Sequence, residues 1–120
     1  MDHSFPKELR LTHKKDIDHL FAKGRRLKSH PFVIICEEIT PKAGIPFKVL
    51  ISVPKRNFKL AVDRNYLKRC IREVVRCNKD LLIKGEDKTF CIAILYSFKT
   101  KLEFSRLEEG LLNGLKKIHS

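Results

Sequence analysis

The chain holds 120 residues, 42% of them hydrophobic, which is enough for one domain with a modest core and too apolar for a disordered tail. Lys and Arg number 26 against 14 Asp and Glu, a net charge of +12; such an excess repels itself and points to a polyanionic partner, either nucleic acid or an acidic membrane surface. No segment approaches the ~20 apolar residues of a membrane span, and the opening residues lack the basic-then-apolar layout of a signal peptide, so a cytoplasmic location is expected.

In chain order, Thr12 reads as a helix N-cap, and Ile17, Leu20 and Phe21 follow at the spacing of an amphipathic helix that stops at Gly24. Arg25, Arg26 and Lys28 then read as a basic loop ended by Pro31. Phe32 to Ile39 is β-branched and apolar, a strand; residues 41–46, with two prolines and a glycine, read as a turn. Phe47, Val49, Ile51 and Val53 alternate with Lys48, Leu50 and Ser52 in a half-buried strand expected to pair with the first as a hairpin. Pro54 closes it, and a basic connection leads to a long helix over residues 61–77. Residues 78–88 read as a loop, 89–96 as another apolar strand, and Phe104, Leu107, Leu111, Leu115 and Ile118 trace one face of a last helix that Gly110 and Gly114 weaken slightly. The order implies one α+β domain over residues 1–120, a small mostly antiparallel sheet with three helices, in which one strand stretch divides in two. Cys36, Cys70, Cys77 and Cys91 form no CxxC pair and read as reduced, mostly buried thiols rather than metal ligands or disulfides.

The charge is concentrated. Between Lys48 and Arg76 stand nine basic residues and two acidic ones, seven of the twelve net charges. On the helix over 61–77, Leu67, Ile71, Val74 and Val75 fall within an arc of about 100°, and Arg64, Lys68, Arg72, Asn65, Arg76 and Arg69 span the next ~140°. A solvated helix face usually mixes both signs to gain pairs one turn apart. Here the cations meet only Glu73, off the basic arc, so like charges a turn apart destabilise the free helix and a polyphosphate relieves them. Arginine suits that partner because its planar fork grips phosphate oxygens in pairs. Asn65 either binds a sugar hydroxyl or simply occupies the helix's first turns.

Arg64-Asn65-x-x-Lys68-Arg69-x-x-Arg72 resembles the RNR motif of the bacterial ribonuclease P protein family. Residues 15–24 resemble that family's first helix and closing glycine, residues 32–35 its first strand, and residues 51–56 its strand end with a basic pair. The resemblance covers about residues 7–118. Two departures stand out: Tyr66 occupies the third motif position, commonly Arg, and the 57–60 loop lacks a glycine often found there.

The resemblance implies an α+β sandwich with a left-handed βαβ crossover, in a protein that helps a catalytic RNA remove the 5′ leader of precursor tRNA by phosphodiester hydrolysis. It implies Mg2+ held by RNA groups, one protein per RNA subunit, and no catalytic residue on the protein. By motif position, Lys55, Arg56, Arg64, Asn65, Lys68, Arg69 and Arg72 face the catalytic RNA. Ile17, Phe21 and Phe32 line a cleft for the leader, with core packing the rival role of Phe21 and of Phe32. Lys14, Lys15, Arg25 and Arg26 are either auxiliary phosphate contacts or solvated charge. A protein-borne nuclease site is disfavoured, because Asp16, Asp18, Glu37, Glu38 and the five histidines show no ligand or acid–base spacing. A ribosomal protein or RNA chaperone fits the composition but does not require the RNR helix; a DNA-binding protein lacks its helix-turn-helix or zinc pattern.

Overall fold

The computed structural model describes residues 9–40, 45–83 and 88–118. Helix α1 (Lys14–Lys23) is followed by strands β1 (Arg25–Ser29), β2 (Phe32–Ile39) and β3 (Phe47–Ser52), helix α2 (Ala61–Cys77), a short 3-10 turn (Lys79–Leu82), strand β4 (Thr89–Tyr96) and helix α3 (Phe104–Lys117). The strands form one sheet in the order β1-β2-β4-β3. β1 and β2 pair antiparallel, as do β2 and β4, while β3 and β4 run parallel, so α2 is the crossover of a β3–α2–β4 unit.

The α+β class and the three helices are as expected; two details differ. The fourth strand comes from the basic segment after α1, read as a loop, rather than from the division of an apolar stretch. β1 is a charged edge strand, a form that resists stray strand pairing. Its strand geometry is fixed by pairing with β2 rather than by propensity. β2 and β3 also do not form a hairpin, because β4 lies between them. β4 takes the centre because seven of its eight residues are buried, whereas β3 carries Lys48 and Ser52 on one face and tolerates an edge. The proline- and glycine-rich turn falls largely on residues 41–44, and part of the following loop on residues 84–87, outside the described residues.

Strand alternation gives the sheet two faces. One carries Phe32, Ile34 and Cys36 of β2, Phe90, Ile92, Ile94 and Tyr96 of β4, and Phe47 and Val49 of β3; α2 and α3 pack there with Leu67, Ile71, Val74, Leu107, Leu111 and Leu115 to make the main core. The other carries Ile35, Cys91 and Ala93, capped by Leu20 of α1 and Leu11, with Val33, Leu50 and Leu95 left half-buried.

Glycines set two close approaches. At Gly24, which ends α1 with an ordinary negative φ, a Cβ would lie 2.5 Å from the Leu20 carbonyl oxygen and 2.6 Å from Ile35 Cγ2. On α3, a Cβ at Gly110 would strike the His30 carbonyl oxygen, and one at Gly114 would lie 2.5 Å from Ile34 Cδ1. These two residues weaken α3 as an isolated helix, but they let it lie on the β1–β2 turn, where Ser29 Oγ donates to the Gly110 carbonyl at 2.7 Å. α1 begins one residue later than expected, with His13 at the cap position and no side-chain cap bond, so Thr12 lies outside it. Cys36, Cys70 and Cys91 are buried free thiols and Cys77 is an exposed one.

Candidate nucleic-acid interface

α2 spans the expected 61–77, and its apolar stripe is buried as the periodicity requires: Leu67, Ile71 and Val75 are fully enclosed. That burial fixes the rotation of the helix and turns the adjoining basic arc outward. Asn65 and Arg69 are exposed there; Arg64, Lys68 and Arg72 are half-buried along its border. Lys55 and Arg56 stand exposed on the loop that leads into the helix. Two tight turns shape that loop, with Asn57 N–H donating to the Pro54 carbonyl and Phe58 N–H to the Lys55 carbonyl, each at 3.3 Å. Phe58 anchors it in the core, with its ring 5.7 Å from that of Tyr96.

Arg64 has a local task as well. Its Nη1 donates to the carbonyls of Phe58 at 2.5 Å and Lys59 at 3.1 Å, tying the loop to the first turn of α2. Arg76 is drawn away from the arc by Glu73: Nε donates to Oε2 at 3.2 Å and Nη2 to Oε1 at 2.5 Å, an i,i+3 pair that raises the guanidinium's pKa chiefly through this hydrogen bonding. Glu73, off the basic arc by helical position, thus neutralises that arc's last cation.

One contributor was not singled out in the sequence. Arg10 and Leu11 run parallel to the edge of β3, with Leu11 N–H donating to the Val49 carbonyl at 3.0 Å. A groove of about 410 Å³ lies between this segment, β3 and α2, and it joins Arg10 to Lys68 and Arg72. Nothing in the local sequence marks Arg10; the contact is made across 58 and 62 positions of chain and needs the fold.

The half-covered face of the sheet is a second surface. Ile17 and Phe21 of α1 are half-buried beside Val33, Leu50 and Leu95, which come from three adjacent strands. Arg26 and Lys28 pair in register with Ile35 and Val33, which puts both cations on this face. Arg26 Nη2 also donates to the Phe21 carbonyl at 3.2 Å, linking the basic edge to the aromatic. The other flank of α1 is acidic, with His19 Nδ1 2.7 Å from Glu37 Oε1 and Asp16 nearby. Phe32 is not on this surface. It is 1% exposed, on the opposite face of the sheet, its ring edge-on to that of Tyr96 at 5.6 Å. Of its two rival roles, core packing is the one the strand's alternation allows.

Among the described residues no group of three or more His, Cys, Asp or Glu could hold a metal ion, and no helix is long and apolar enough to cross a membrane.

Residues 5–119 match the family model described as Ribonuclease P. The ribonuclease P protein component of Thermotoga maritima is 36% identical over 98% of each chain, and that of Petrotoga mobilis is 31% identical over 98% of this chain and 97% of the other. The chain belongs to the ribonuclease P protein family. The solved ribonuclease P protein of Thermotoga maritima superposes with a TM-score of 0.74 at 29% identity, covering 92% of this chain and 98% of that one. A Staphylococcus aureus ribonuclease P protein mutant, at 24% identity, shares the fold with a TM-score of 0.71. In ribonuclease P terms, α2 is the motif helix, and its departure at the third motif position has a clear packing role here. Tyr66 is half-buried against the main core. A hydrogen bond with the Cys70 thiol, then burial, hold its phenol above the usual pKa, so it is a neutral aromatic at working pH.

Proposed function

We propose that the chain is the RNA-binding protein subunit of ribonuclease P and assists removal of the 5′ leader from precursor tRNA. The observation that carries the reading is the α2 surface: the family's motif residues lie on one helix face beside an apolar stripe that is locked into the core. In this reading Lys55, Arg56, Asn65, Lys68, Arg69 and Arg72 meet the phosphates and sugars of the catalytic RNA, with Arg64 ordering the loop between them and Arg10 extending the groove. The open sheet face takes the single-stranded leader: Phe21 offers an aromatic platform, Ile17 and Val33 an apolar floor, and Arg26 and Lys28 phosphate contacts.

The hydrolytic step belongs to the RNA, with Mg2+ held by RNA groups, and this chain contributes binding and positioning. One protein per RNA subunit, in the cytoplasm, completes the proposal. Binding of the protein to ribonuclease P RNA tests it, measured by fluorescence titration over a range of salt. Arg69→Ala and Arg72→Ala should each weaken binding and lower the salt slope by about 0.7–0.9. Wild-type affinity and slope in both variants would overturn the assignment of α2.

A further inference from the structure

Along α2, one flank of the exposed surface lacks a cation of its own. Tyr66 and Asp63 occupy it, about 60° and 120° around the helix from Arg69, with Cys70 buried between them. The fold brings a charge there from elsewhere. Lys101, on the connection between β4 and α3, places its Nζ 3.1 Å from Asp63 Oδ1 and 5.2 Å from the centroid of the Tyr66 ring.

That position is prepared rather than incidental. Tyr96, fully buried at the end of β4, donates its hydroxyl to the Thr100 carbonyl at 2.5 Å, one residue before Lys101. Ser97 N–H donates to the Pro31 carbonyl at 2.9 Å, and Leu102 packs half-buried against the main core. The backbone is therefore pinned on both sides of Lys101, while the side chain stays 49% exposed. An exposed Lys–Asp pair is weak and exchanges readily for a phosphate. The ammonium has three donors, of which Asp63 takes one. The Tyr66 ring behind it attracts the cation and limits its wandering.

We infer that Lys101 is an RNA-phosphate contact on the Tyr66 flank of α2, extending the basic surface beyond the motif helix. The inference rests on the reading of α2 as the RNA-facing helix.

The test is binding of the full-length protein to ribonuclease P RNA at 50 and 200 mM monovalent salt. Lys101→Ala is compared with Arg69→Ala and with Lys116→Ala, which removes the same charge from the exposed end of α3. Loss of one phosphate contact lowers the salt slope by about 0.7–0.9, so the ratio of wild-type to Lys101→Ala affinity should fall roughly threefold between the two salts. Lys101→Arg should keep the wild-type slope. Tyr66→Arg in the Lys101→Ala background should restore it, by returning a cation to the same flank. Lys101→Gln repeats the measurement if Ala lowers the melting temperature. A Lys101→Ala slope equal to that of Lys116→Ala, with Arg69→Ala impaired, would overturn the inference and leave the α2 reading standing. No effect in Arg69→Ala either would bring down both.

Discussion

Replacing Arg64 by Ala should do two separable things. The guanidinium donates to two carbonyls of the entry loop, that of Phe58 partly buried and that of Lys59 exposed. A hydrogen bond to a charged group contributes about 1.5–3 kcal/mol when shielded and much less in water, so the pair together should contribute about 1–2 kcal/mol. For a domain of this size that is a fall in melting temperature of roughly 3–10 °C. Arg69, exposed on the same helix with no bond to the loop, should leave melting unchanged when replaced by Ala. Both variants should lose RNA affinity, Arg64→Ala more, since its loop carries Lys55 and Arg56. Arg64→Lys should recover part of the loss, because a single nitrogen, Nη1, makes both bonds and an ammonium also carries donors enough for two carbonyls. The assay is thermal melting by circular dichroism beside RNA titration of the same samples. If Arg64→Ala melts with the wild type while losing affinity, Arg64 is a direct contact only and the loop is held by Phe58 alone.

Gly110→Ala should destabilise the protein by about 1–3 kcal/mol in urea unfolding, although Ala is the better helix former by up to ~1 kcal/mol, since its Cβ meets the His30 backbone; a stabilised variant would refute the close approach. Phe21→Ala should weaken binding of precursor tRNA but not of mature tRNA in the assembled enzyme, whereas Phe32→Ala should cost about 3–5 kcal/mol of stability through loss of core packing. Equal effects of the two on stability would contradict the two-face arrangement. Burial raises the pKa of Tyr96 above the unfolded value near 10, so its neutral form contributes stability that is complete below that value and lost as pH rises through the folded pKa. Tyr96→Phe should therefore flatten part of the alkaline decline in stability, Tyr66 supplying the remainder; an unchanged profile would show that Tyr96 is not the titrating group.

How much of this was legible in the sequence follows from which signals are local. α2 and its face could be read directly, because seventeen residues of clean helical period separate an apolar stripe from a basic one. The β1 strand could not, since Arg25, Arg26 and Lys28 carry no strand propensity and become a strand only against β2. The false hairpin came from assuming that neighbouring strands pair; the signal against it was β4, apolar on both faces and therefore central. Phe32 is the same problem at one residue. β2 is apolar at both parities, so the sequence shows alternation but not which face meets α1. Arg10 and Lys101 reach α2 only through the fold, and no spacing rule finds them.

Cleavage of precursor tRNA with a bacterial ribonuclease P RNA at low Mg2+, with and without the protein, tests the role of this chain as the ribonuclease P subunit. Accurate cleavage at the mature 5′ end should appear only when the protein is present and should fall in the pair Lys68→Ala and Arg69→Ala. Tight RNA binding with no stimulation of cleavage by the wild-type protein would contradict that role.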